Sequence, residues 1–166
     1  FLSQIWLSNS ADERLHRGVL QPIFQPYFPE YERALIQPEV PFRGGTYTFR
    51  VQLGHAWRRI AVPAELTLES LALAILKSVD FDLDHLYCFN LRGRTGRSLR
   101  VACPEEGEAD SYADDIAVGD LPLPVGGTMT MLFDYGDCWE FSIKLEQIGP
   151  PNARQRHPKV TAKGGK

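Results

Sequence analysis

The chain carries none of the compact motifs that define a reaction class. It has no glycine-rich loop to cradle phosphates, no Cys/His quartet at zinc-ligand spacing and no Gly-x-Ser-x-Gly turn for a nucleophilic serine. Motif-defined nucleotide hydrolases, zinc modules and serine hydrolases are therefore excluded. Cysteine is scarce: Cys88, Cys103 and Cys138 are odd in number, far apart and without a Cys-x-x-Cys pair. That excludes a disulfide scaffold and fits free thiols in a reducing, cytoplasmic compartment. No run approaches the roughly 18 apolar residues of a membrane span, so no membrane partner is expected. The N-terminus lacks a basic segment followed by an apolar one, and it begins at Phe1 instead of Met, as a fragment or trimmed chain does. A net charge of -3 lacks the excess needed for a whole-molecule grip on nucleic acid, while leaving room for a local basic patch.

What is present fits one domain with appendages, because 166 residues with 43% hydrophobic content can bury a sizeable core. Residues 1–45 are punctuated by Pro22, Pro26, Pro29, Pro38 and Pro41, which forbids long helices. They read as an N-terminal extension with short helices near 11–20 and 29–36, joined to the rest at Arg43-Gly44-Gly45. From Thr46 onward, Tyr47, Phe49, Val51 and Leu53 alternate with polar residues, predicting a half-buried strand. Residues 56–62 return as a second strand. Leu68, Leu71, Ala72, Ile75, Leu76 and Val79 recur at helical spacing behind Thr67 as N-cap. A third strand is predicted near 85–91, and a hairpin of 128–135 with 138–148 closes the domain over a tight acidic turn. In its last strand Trp139, Phe141, Ile143 and Leu145 share a face, expected to lie on the stripe Leu68, Leu71, Ile75 and Leu76. The stretch 92–127 reads as an insertion, first basic and then acidic, and 151–166 as a basic tail. The expected fold class is α+β: a β-grasp-like mixed sheet over 46–150 with one main packed helix, plus the proline-rich, partly helical arm.

Several of these blocks resemble a known family. Trp57-Arg58-Arg59-Ile60-x-Val62-Pro63, Thr67-Leu68, His85-Leu86 and Asp134-Tyr135-Gly136-Asp137-x-Trp139-Glu140-x-x-Ile143-x-Leu145-Glu146 are similar, in that order, to the plasmid pRiA-type "open reading frame three"-like family, passengers of insertion elements. The resemblance covers about 46–148 and leaves 1–45 outside. It implies a β-grasp-like domain and a bacterial or archaeal, mobile-element setting, with no established activity or catalytic residues. Two positions where similar members often carry histidine are here Tyr87 and Phe141, which weakens a histidine-cluster metal site. The chain also stops at Lys166, about where the family's usual proline- and acid-containing ending begins.

The candidate ligand-binding residues are Trp57, Arg58, Arg59, His85, Asp134, Asp137, Trp139 and Glu140. Carboxylates as dense as Asp134, Asp137 and Glu140 can hold a hard cation. More simply, Asp134 and Asp137 bond their own turn's amides while Gly136 takes a positive φ. Trp57 and Arg59 share a strand face, so an arginine can lie over the indole, or its guanidinium can pair with Asp134 or Asp137. Asp80, Asp82, Asp84 and His85 form a second polar cluster, equally accounted for as a solvated loop. Acidic neighbours argue against Cys138 as a nucleophile, and His16, His55 and His157 have no partner constellation. No resident metal or cofactor is predicted. The reading is a non-catalytic binding or interaction module using the sheet as platform, its partner an unidentified protein or small ligand. One alternative is a metal-assisted enzyme using Asp134 and Asp137. Another is a nucleic-acid accessory protein with weak, non-specific contacts from Arg92, Arg94, Arg97, Arg100 and the tail residues Arg154, Arg156, Lys159, Lys163 and Lys166.

Overall fold

The computed structural model describes residues 41–93, 96, 98–107, 109 and 111–165. The period-two alternation from Thr46 produces strand β1, Thr46–Leu53, which turns through Gly54 into strand β2, Ala56–Pro63. Gly54 supplies the turn's φ of 55° without a Cβ penalty. Helix α1, Leu68–Ser78, starts where Thr67 accepts a hydrogen bond from the Ser70 amide at 3.3 Å. It stops in a left-handed cap. Asp80 takes φ 59°, the Phe81 amide donates to the Leu76 carbonyl at 3.1 Å, and the Asp80 amide donates to Lys77 at 3.4 Å. Five further strands follow: β3 Tyr87–Arg92, β4 Ser98–Ala102, β5 Thr128–Phe133, β6 Trp139–Gly149 and β7 Lys159–Gly164.

All seven strands join one sheet in the order β4-β3-β5-β6-β1-β2-β7, and every neighbouring pair is antiparallel. The α+β, β-grasp-like mixed sheet is therefore corrected: the domain is mostly an antiparallel seven-stranded sheet, with one α-helix among the described residues. The physical reason is that side-chain alternation has the same period in parallel and antiparallel strands, so it could not fix strand direction. Two strands were also invisible. β4 lies in the stretch read as an insertion, and β7 in the stretch read as a basic tail, where Lys, Ala and Gly carry little strand propensity. The helices expected near 11–20 and 29–36 lie outside the described residues.

One sheet face makes the core. Tyr47, Phe49 and Val51 of β1, Ile60 and Val62 of β2, and Phe141, Ile143 and Leu145 of β6 are buried with Leu68, Leu71, Ile75 and Leu76 of α1. The helix lies nearest β2. Trp139 departs from its expected place on the helical stripe: it is 42% exposed, and its ring meets Phe81 edge-on at 5.4 Å. At the entry to β1, Gly45 takes φ 137°, and a Cβ there would stand 2.5 Å from the Gly149 carbonyl oxygen, so only glycine fits.

Two substitutions test this account. Leu71→Ala, at a fully buried site, should destabilise the domain by about 2–5 kcal/mol through lost transfer energy and a cavity, and an unchanged denaturation midpoint would refute the packing. Asp80→Gly should instead stabilise it by roughly 1 kcal/mol, because a non-glycine residue in the left-handed region carries about that strain. Parallel urea titrations measure both.

Candidate functional site

The acidic turn joins β5 to β6 through residues 134–138. Its geometry is dictated by Asp134, whose φ is 55° and whose Oδ1 accepts from the Gly136 amide at 2.9 Å and the Asp137 amide at 3.4 Å. The Cys138 amide closes the loop on the Asp134 carbonyl at 2.6 Å. Gly136 does not take the expected positive φ; Asp134 and Cys138, with φ 56°, hold the left-handed positions. The second carboxylate oxygen of Asp134 stands 3.6 Å from His85 Nε2, and Asp84 Oδ1 is also 3.6 Å from that nitrogen. Asp137 and Glu140 are exposed, and Asp137 meets Asp134 only through its backbone amide. Among the described residues no group of three or more His, Cys, Asp or Glu side chains is arranged to hold a metal.

The arginines expected near this turn are engaged elsewhere. Arg58 points to the helix side, where its Nε donates to the Ser78 carbonyl at 2.8 Å and its Nη1 to the Trp57 carbonyl at 2.9 Å. It thereby satisfies a carbonyl at the negative end of α1. Arg59 projects from the opposite sheet face and grips Glu146 with Nε at 2.6 Å and Nη2 at 3.3 Å, so its partner is neither Asp134 nor Asp137. Trp57 receives an arginine, as its strand position allows. The nearer one is Arg50 of β1, its guanidinium carbon 4.6 Å from the ring centroid, with Arg59 at 6.0 Å. The indole also lies across Gly164 of β7, where a Cβ would come within 2.6 Å of Trp57 Nε1. Trp57 thus bridges β1, β2 and β7 through Arg50 and Gly164.

Sequence reasoning missed Arg50, Lys144 and Glu146 as members of one cluster. Arg50 pairs in register with Arg59 on one side and Lys144 on the other, and Glu146 sits beside them. The Arg59 hydrogen bond, helped by the positive field of Arg59, Arg50 and Lys144, holds the Glu146 carboxyl below its ordinary 4.5. A second unforeseen cluster lies toward the β4 edge. There Arg100 Nη2 reaches Glu106 at 2.7 and 2.9 Å and the Tyr135 hydroxyl at 3.0 Å, and the hydroxyl donates to Glu106 at 2.5 Å. Burial and then the Glu106 contact push the Tyr135 hydroxyl above its ordinary value. The buried Tyr87 hydroxyl, without a hydrogen-bond partner among the described residues, is raised chiefly by burial. Asp82, Asp84, His55 and His157 are exposed, while Arg94, Arg97, Lys166 and His16 lie outside the described residues.

The lowered Glu146 value has a definite sign. An acid whose folded pKa is depressed adds stability that is complete above its unfolded value and is lost as pH falls through the folded value. Glu146→Gln should therefore melt lower than the wild-type chain at about pH 7, with the difference closing toward about pH 2. A difference that stays constant across that range would show that the Arg59 pair is not the cause.

With this geometry in place, the comparisons with other proteins are informative about kinship. The crystal structure of a protein of unknown function, MM3350, from Methanosarcina mazei Go1, is similar with a TM-score of 0.64 and 24% identity, over 72% of this chain and 70% of that one. At that identity the likeness is one of fold. No curated protein matches the chain significantly. Among the described residues no helix is long and apolar enough to cross a membrane. The family described as plasmid pRiA4b ORF-3-like protein matches residues 46–166, from the first strand of the sheet through the last, and the chain belongs to that family.

Proposed function

We propose that the domain is a non-catalytic binding module whose platform is the open face of the sheet. The observation that carries this reading is the asymmetry of the two faces. One face is buried beneath apolar side chains. The other presents Thr48, Arg50 and Gln52 of β1, Trp57 and Arg59 of β2, Ser142 and Lys144 of β6, and Thr128 and Thr130 of β5, all at least partly exposed. A broad polar face on a rigid antiparallel frame positions many weak contacts at once, as recognition requires. The metal-assisted alternative has one supporting contact set, His85 with Asp84 and Asp134. It is weaker because Asp134 already serves the turn's own amides.

The two readings part on titration with Zn2+ and Mn2+, followed by amide NMR shifts. The platform reading expects no saturable one-to-one response at the turn, and no loss of melting temperature with EDTA. A saturable response centred on His85 and Asp134, abolished by Asp134→Asn, would transfer the function to the turn. As a companion measurement, Thr48→Ser and Gln52→Asn should shift stability by less than about 0.5 kcal/mol, since partly exposed positions on the open face do not hold the fold together.

A further inference from the structure

Lys144 of β6 faces Arg50 of β1, and Arg50 faces Arg59 of β2, so three cations stand in register across three adjacent strands. Like charges directly opposed on a sheet repel one another and cost stability. One carboxylate, Glu146, relieves the row by taking Arg59 in a two-point contact. Among the described residues no further carboxylate pairs with Arg50 or Lys144, which leaves the row with an excess of positive charge. Trp57 holds the Arg50 guanidinium over its ring and so fixes its place in the row.

The surroundings give this excess a direction. Asp137 and Glu140 lie at the turn end of β6, whereas the other end opens into a groove lined by Thr46, Thr48, Gln147, Asn152 and Arg154. Described residues from 147 onward contain no acid, and they add Arg154, Arg156 and Lys159, while Lys163 pairs with Arg58 on the helix side. We infer that this row and groove bind the phosphate backbone of single-stranded nucleic acid, an assignment that rests on reading the open face as the platform. Charge complementarity selects the partner: Arg50 and Lys144, the two cations of the row without a carboxylate partner among the described residues, stand beside the groove's cations and together attract a polyanion. Hydroxyl and amide side chains beside the row, Thr48, Gln52 and Ser142, supply neutral donors for phosphate oxygens. A lipid surface fits less well, because exposed apolar side chains such as Leu73, Leu83 and Leu86 belong to the helix and the connection after it. The indole of Trp57 is occupied by Arg50 and Gly164, so bases are not read and binding is sequence-independent.

The test is fluorescence anisotropy of the full chain with a labelled single strand of about 20 nucleotides at about 50 and 200 mM salt. Binding should be clear at the lower salt and fall steeply at the higher. The double variant Arg50→Gln, Lys144→Gln should bind at least about fivefold more weakly, with the log-log salt slope reduced by about 1.4, since each single-strand phosphate contact contributes about 0.7. Its melting temperature should change little, because relief of repulsion offsets the loss of the Trp57 contact and of the field on Glu146, and Lys77→Gln on the helix should bind as the wild type does. Wild-type affinity in the double variant would overturn the assignment, as would tighter binding to a duplex of equal length or to anionic vesicles. If the oligonucleotide fails to bind and metal titration leaves the turn unmoved, the partner assignment falls while the platform reading stands. A metal site at the turn would bring down the platform reading itself.

Discussion

The register of β1 between its two neighbours is the constraint on which the rest of the domain depends. Phe49 opposite Ile60 and Leu145 closes the core on one face. The same pairing places Arg50 opposite Arg59 and Lys144 on the other. Because strand side chains alternate strictly, a slip of one residue would carry Tyr47, Phe49 and Val51 to solvent and bury the cations. The burial of three large apolar residues therefore holds the like-charged row in place against its own repulsion. Core and open face are one structural decision seen from two sides.

The parts legible in the sequence were those governed by local periodicity. Helix α1 lies where Leu68, Leu71, Ile75 and Leu76 recur, and Thr67 caps it. The β1–β2 and β5–β6 hairpins follow from alternation on either side of short turns. What could not be read is long-range. Strand direction, the membership of β4 and β7, and the partner of Arg59 all depend on which segments meet, and Glu146 is 87 residues away from that arginine. The left-handed conformation went to Asp134 and Cys138 and bypassed Gly136, because the Asp134 side chain organises the turn's amides. Residue propensity alone carries no information about that competition.

The candidate residues separate into two neighbourhoods. His85, Asp84 and Asp134 gather at one end of the sheet, while Trp57, Arg59, Arg50, Lys144 and Glu146 occupy the open face. Arg58 belongs to neither, since it completes the end of the helix. Trp139, Phe81, Phe133 and Phe141 form an aromatic junction beneath the turn, with ring centroids 5.4 to 6.1 Å apart about Phe81. Such offset and edge contacts stiffen the end of the hairpin that carries the acids.

Strand β7 has a bearing on how the domain is handled as a reagent. Its lysines line the outer edge of the sheet, and it pairs with β2 alone. A shortened version ending near Ile148 would leave the β2 backbone amides and carbonyls of residues 57–61 without their partner strand and Trp57 without its glycine support. Bare strand edges recruit other strands, including those of identical copies. Such a version would be prone to self-association, visible as concentration-dependent elution in size-exclusion chromatography, whatever the stability of its core.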